Sequence, residues 1–192
     1  MKLPDLACLF IVAVTAAFAD VGAPDDDKLI AKSRDIVREF GGSLKSELQG
    51  SLSAGGPQAA IDICKERAPQ IASDLSRSSG AKLRRTSLRY RNPVNAPEPW
   101  EARVLREFAA APSGESTPLE YFSREDDGTI RYMSAIRLGG VCLACHGVAI
   151  APETGQKLDE EYPYDSARGY VAGDIRGAFS VTWPVPQDMP GG

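Results

Sequence analysis

The segment LEYFSREDDGTIRYMSAIRL, residues 119–138, predicts two β-strands joined by a tight turn. Apolar and polar residues alternate on both arms, as expected for strands that bury one face. Asp127 and Gly128, between the arms, form a dipeptide that is favoured in short hairpin turns. The segment therefore predicts an antiparallel β-hairpin. Similar alternation predicts further strands over residues 81–90 and 175–185.

Upstream of this hairpin the sequence predicts helices. Apolar residues recur at helical spacing over residues 25–52 and again over 57–75, where Pro69 should introduce a kink. A shorter helix is expected over residues 97–110, and the polar stretch 153–174 is expected to be a loop. Because helices come first and strands later, we expect an α+β fold, with two N-terminal helices packed on a PAS-like, mostly antiparallel sheet.

The N-terminus has the features of a secretory signal peptide. Residues 1–19 contain Lys2, an apolar run over residues 6–18, and small residues before a cleavage site after Ala19. The apolar run is shorter than the roughly 20 residues that a membrane-spanning helix needs. We therefore expect cleavage, export to the periplasm, and one mature domain over residues 20–192 without a membrane span. The net charge of −4 argues against a nucleic-acid partner.

Residues 142–146, Cys-Leu-Ala-Cys-His, carry a specific chemical motif. Two cysteines at this spacing can form thioethers with the two vinyl groups of one haem, and a histidine directly after them becomes an axial ligand of the iron. His146 is the one histidine of the chain. The motif therefore predicts one covalent haem c on Cys142 and Cys145, with His146 on the iron. A redox-active cysteine pair and a zinc site that includes Cys64 are the alternatives.

The second axial ligand cannot be a histidine of the same chain, because His146 is the one histidine. The candidates are Met133, Met189, Cys64, a tyrosine or lysine, and water, and an empty position is also possible. Cys64 lies on the apolar stripe of the second predicted helix and is the odd cysteine of the mature chain. Cys64 and Met133 can equally be buried core residues. The residues by themselves leave this choice open.

Four segments resemble, in order, a family of exported c-type haem domains with a PAS-like fold, of the cyanobacterial redox-sensor type. They are AIDICKERAPQIA, RRTSLRYRNPVNAPEPWE, GGVCLACHG and GYVAGDIRGAFSV. This family is catalogued as a domain of unknown function and also occurs in sensor kinases. The resemblance covers nearly the whole mature chain. It implies that Cys142 and Cys145 carry the haem and that His146 and Cys64 are its axial ligands.

Arginines are the candidate partners of the haem propionates. Arg89 and Arg91 are the main candidates, and Arg84, Arg85 and Arg137 are further ones. Each of them can equally be a solvated residue on a strand face.

A haem with one thiolate and one histidine ligand has predictable chemistry. The anionic thiolate stabilises ferric iron and lowers the reduction potential. Reduction or the arrival of a gas ligand can then break the iron–sulfur bond and free Cys64, which suits a sensor that signals to a separate protein. The alternative is a small electron-transfer cytochrome, with Met133 as a possible ligand. An enzyme is not expected, because no histidine remains for the distal side.

Overall fold

The computed structural model describes residues 24–111 and 118–185. The predicted signal peptide, residues 1–19, and the candidate ligand Met189 lie outside these ranges. Among the helices that the ranges contain, none has both the length and the apolar character required to cross a bilayer.

The N-terminal region forms two helical arms. Helix α1 (Pro24–Asp62) is interrupted at Gly56, whose φ of 70° lies in the left-handed region that favours glycine. Pro57 then starts the second arm. An ion pair between Arg67 and Glu47, at 2.7 Å, joins the second arm to the first. The two predicted helices are therefore the two sides of one helical hairpin.

The second arm continues through a π-helical turn (Ile63–Arg67) into helix α2 (Ala68–Ser79). In this turn the backbone N–H of Ala68 donates to the carbonyl of Ile63, five residues earlier. Pro69 explains the wide turn, because its ring has no N–H and excludes the carbonyl four residues before it. The kink predicted at Pro69 is thus expressed as a π-helical turn, a feature that is frequent at functional sites.

Four strands form one antiparallel sheet in the order β1-β4-β3-β2. They are β1 (Lys82–Thr86), β2 (Glu120–Arg124), β3 (Ile130–Arg137) and β4 (Ile175–Trp183). The predicted hairpin is confirmed as β2 and β3, with Glu120 opposite Ser134 and Arg124 opposite Ile130. Its turn contains Gly128 at a φ of 83°. The last strand therefore inserts between the first strand and the hairpin.

Helices cover both faces of this sheet. On one face α1 and α2 bury a core that includes Phe40, Leu75 and Val181. On the other face helix α3 (Pro99–Ala110) packs through residues such as Leu105 against Met133 of β3. The expected α+β fold is confirmed, and α3 adds a third layer to it.

The expected loop over residues 153–174 is wrong in its first part, which forms helix α5 (Pro152–Glu161). Pro152 suits the first turn, and Thr154 and Leu158 are buried one turn apart. Leu158 is the one strongly apolar residue of this helix, so its periodicity was too weak to detect. A shorter helix, α4 (Leu143–His146), precedes α5.

Candidate functional site

Backbone hydrogen bonds from Gly169 and Tyr170 hold the end of the Cys-x-x-Cys-His segment. Helix α4 contains the second cysteine and His146, and a 3₁₀ turn (Gly140–Cys142) leads into it. The N–H of Tyr170 donates to the carbonyl of His146 at 3.0 Å, and Gly169 donates to Gly147 at 2.9 Å. Gly147 is needed here, because a Cβ at that position would lie 2.6 Å from the carbonyl oxygen of Leu143.

The imidazole of His146 is oriented by the backbone. Its Nδ1 lies 2.7 Å from the carbonyl oxygen of Ala167 and 3.3 Å from Arg176 Nε, and the shorter contact, with an atom that can only accept, favours the tautomer in which Nδ1 donates its proton to Ala167. Nε2 is therefore the nitrogen with a free lone pair, which is the arrangement of a metal-ligating histidine. Burial and the positive charges of Arg176 and Arg91 lower the pKa of His146 to about 3. The imidazole is thus neutral at neutral pH, the form that binds iron.

Helix α5 connects the turn that contains Cys64 with the motif segment. Ile61, one turn before Cys64, packs with Leu158 and Tyr162, and Cys145 packs against the same group. Ion pairs on either side of Cys64 reinforce this contact, namely Lys157 with Asp62 and Lys65 with Glu161. Burial raises the pKa of Cys145, and its neighbours Cys64 and Cys142 contribute to that rise. We call Cys64, Cys142, Cys145 and His146 the motif cluster.

Arg91 stabilises the backbone around the motif cluster through an ion pair and a hydrogen bond. Its Nε lies 3.1 Å from Asp165 Oδ1, and the two side chains are only 8% and 3% exposed. Its Nη2 also donates to the carbonyl of Cys145 at 2.6 Å. Arg89 lies over the Tyr170 ring, at 4.3 Å from its centroid. The role of Arg89 and Arg91 as propionate partners stays a prediction, and the contacts of Arg91 favour a structural role for it.

Three other arginines near the motif cluster form no ion pair within residues 24–111 and 118–185. Arg176 donates from Nη1 to Ser87 Oγ at 2.8 Å and to the carbonyl of Arg89, and burial lowers its pKa to about 10. Burial also holds the pKa of Arg85 below its ordinary value, and the groups that face it are Cys64 and Tyr162. Arg137 Nη2 is buried and has no hydrogen-bond partner within residues 24–111 and 118–185. This region therefore has an excess of positive charge.

The residues present fit a haem. Its porphyrin occupies four positions around the iron, so the protein needs to supply only two axial atoms and two thiols, which the motif cluster contains. The two propionates would supply negative charge to Arg176, Arg85 and Arg137, which form no ion pair in the described part of the chain. In the described part of the chain, no group of three or more histidine, cysteine, aspartate or glutamate residues is placed to hold a bare metal ion.

Two residues of this site escaped the sequence analysis. Asp165 falls in the stretch expected to be a polar loop, yet its side chain is buried against Arg91. Tyr162, which is buried with Ile61 and Leu158, was the available signal that this stretch contacts the core. Arg176 lies in one of the segments that resemble the haem family, but no spacing marked it as a neighbour of His146. Met133, the alternative ligand, is fully buried with α3 in a cluster without motif residues.

The fold and the site together define an α+β domain in which a Cys-x-x-Cys-His segment and a helical hairpin pack on the same helix, α5. The Tll0287-like family model matches residues 16–184, and the chain belongs to this family. A solved structure, that of the cyanobacterial haem protein Tll0287, is similar, with a TM-score of 0.60 and 25% sequence identity. The match covers 88% of this chain and 100% of that chain. Among curated proteins, none matches significantly. The family expected from the sequence is confirmed.

Proposed function

We propose that this protein binds one haem c covalently through Cys142 and Cys145, with His146 and Cys64 as axial ligands, and acts as a periplasmic redox or gas sensor. When bound, the haem supplies one-electron redox chemistry and an iron centre that can exchange a ligand. The observation that carries the proposal is the motif cluster, because Ile61, one turn before Cys64, and Cys145 of the Cys-x-x-Cys-His segment pack in one cluster with Leu158 of helix α5.

Two further observations support haem binding. The family to which the chain belongs includes a similar protein that is described as a haem protein. His146 is held neutral with Nε2 free, and Arg176, Arg85 and Arg137, which form no ion pair among the described residues, offer positive charge to the propionates.

The position of Cys64 favours a sensor over a simple electron carrier. Cys64 lies in the π-helical turn through which the second arm continues into α2. Helix α2 in turn packs on the sheet through Ile71 and Leu75. Release of Cys64 from iron would allow this turn to rearrange, which provides the two-state element that a signal needs. Met133, by contrast, is a core residue under α3, so its use as a ligand would require unpacking of that core.

The ligand assignment is tested with the haem-loaded protein and two variants. Cys64→Ala should abolish the sulfur-to-iron charge-transfer band of the ferric protein in the near infrared and raise the reduction potential. Met133→Leu keeps the side-chain volume, costs less than about 1.5 kcal/mol, and should leave both unchanged. An unaltered spectrum and potential in Cys64→Ala, or a changed band in Met133→Leu, would overturn the assignment.

The sensor role has its own test. The wild-type protein is reduced under anaerobic conditions, and its ferrous spectrum is compared with and without carbon monoxide. We expect carbon monoxide to displace Cys64 and change the spectrum. Identical ferrous spectra would contradict sensing by ligand exchange. Fractionation of cells that express the full chain tests the periplasmic location.

A further inference from the structure

A cavity of about 240 Å³ lies between helix α3, the segment that follows β1, and the start of β4. Its apolar lining includes Leu105 and Ala109 of α3 and Ile175 of β4. Among the described residues, no member of the motif cluster lines it. The cavity is smaller than the roughly 300–1,000 Å³ of sites for drug-sized ligands, so its size suits a small molecule.

Two arginines bring positive charge to this cavity. The Cζ atom of Arg89 lies 4.3 Å from the centroid of the Tyr170 ring, and that of Arg176 lies 5.7 Å from the same centroid. Neither arginine forms an ion pair in the part of the chain that the structure describes. Asp174 also lines the cavity, but its Oδ2 accepts the backbone N–H of Val171 at 2.8 Å. The polar lining is therefore rich in donors that carry positive charge.

Ser87, which is 5% exposed, fixes the position of Arg176. The Ser87 hydroxyl donates to the carbonyl of Arg176 at 2.7 Å and accepts from Arg176 Nη1 at 2.8 Å. Nη1 also donates to the carbonyl of Arg89 at 3.0 Å, and Nε lies 3.3 Å from His146 Nδ1. Among the described residues these contacts engage Nη1 and Nε, which leaves Nη2 for a ligand. A donor held in this way loses little freedom when a ligand binds.

The chemistry of the lining selects a class of ligand. A planar guanidinium forms charge-assisted hydrogen bonds with a carboxylate, often in pairs. The apolar side chains from α3 and β4 can cover a short hydrocarbon chain next to that carboxylate. The volume equals that of about eight water molecules, which limits the chain to a few carbons. An inorganic phosphate would leave the apolar lining without a partner.

We propose that this cavity is a binding site for a small carboxylate, which Arg176 and Arg89 hold by its charged end while α3 covers its apolar chain. The inference goes beyond the proposed haem function and does not depend on ligation by Cys64. A haem propionate carries the same chemical group as a free carboxylate, and the test separates these two sources. Since Arg176 also lies beside His146, the cavity and the motif cluster share one neighbour.

The test titrates the haem-loaded protein with sodium butyrate and follows binding by ligand-observed NMR. We expect butyrate to bind. Butyramide has the same chain without the charge and should bind about tenfold more weakly or less, because it loses the charge-assisted hydrogen bonds. Inorganic phosphate, titrated in the same way, should also bind more weakly than butyrate.

Four variants locate the binding. Arg176→Gln and Arg89→Gln each remove one cation from the cavity and should weaken butyrate binding about tenfold or more. Ala109→Phe fills the cavity without a change of charge, at an exposed helical position, and should abolish binding. Arg106→Gln is the matched control, because Arg106 is an exposed arginine of α3 next to the lining residue Leu105. It should bind butyrate as the wild type does.

Each outcome supports or overturns the inference. If butyrate does not bind the wild-type protein, the inference is wrong, as it would be if a propionate of the haem already filled the cavity. It is also wrong if butyramide or phosphate binds as tightly as butyrate, or if Arg106→Gln weakens binding as much as Arg176→Gln does. Wild-type binding in Ala109→Phe would place the carboxylate elsewhere on the protein and refute the site. Far-UV circular dichroism and haem content verify folding, and if Arg176→Gln does not fold, the exposed Arg89→Gln decides.

Discussion

The buried ion pair between Arg91 and Asp165 should make a large contribution to the stability of the proposed haem site. Asp165 also accepts hydrogen bonds from the N–H of Ala167 at 2.8 Å and from Arg168 at 2.7 Å. Asp165→Asn keeps the shape of the side chain and removes its charge, which leaves Arg91 uncompensated in the interior. Breaking one partner of a buried pair costs about 3–5 kcal/mol. That cost is a large share of the 5–15 kcal/mol that typically stabilises a domain.

Urea unfolding of the haem-loaded protein, followed by far-UV circular dichroism, measures this cost. With a slope of about 1–3 kcal/mol per molar urea, the midpoint should fall by about 1 M or more. The control is Asp35→Asn, because Asp35 and its partner Arg38 are 69% and 74% exposed. An exposed pair contributes at most about 1 kcal/mol.

A double variant separates the missing charge from the missing contact. Arg91→Met combined with Asp165→Leu removes both charges from the interior and should recover much of the stability that Asp165→Asn loses. The reasoning is refuted if Asp165→Asn costs no more than Asp35→Asn, or if the double variant is less stable than Asp165→Asn.

Three further predictions concern other parts of the fold. The hydrogen bond from Arg34 lowers the pKa of Glu120 in the folded protein. Glu120→Gln should therefore cost at most about 1 kcal/mol of stability near neutral pH. This cost should shrink as the pH falls through the ordinary glutamate range and vanish below the lowered folded-state pKa. Urea unfolding across this range checks it, and a cost independent of pH would contradict it. Gly147→Ala should reduce covalent haem loading, because its Cβ would meet the Leu143 carbonyl. Gly155→Ala, whose Cβ would face open space in α5, should stabilise the protein by about 0.5–1 kcal/mol. Absorbance per protein and urea unfolding measure the two effects, and wild-type loading in Gly147→Ala would count against the first.

Local patterns predicted most of the secondary structure. The hairpin of residues 119–138 and the last strand follow from alternation, because a half-buried strand repeats every two residues. The Gly56 turn and the distortion ahead of Pro69 follow from the backbone limits of glycine and proline. Helix α5 was not predicted because it buries only two residues, Thr154 and Leu158, and Leu158 is its one strongly apolar residue.

The motif of residues 142–146 and the family resemblance were readable from the sequence, because attachment of a c-type haem depends on residues that are adjacent in the chain. The sequence by itself thus determined the α+β class and the Cys-x-x-Cys-His motif. Only the tertiary structure decided which distant polar groups meet: it pairs Arg91 with Asp165, places Met133 under α3, and separates Arg84 from Arg85 on opposite faces of one strand. Polar partners far apart in the chain leave no periodic signal, since their contacts arise only when helices and sheet pack together.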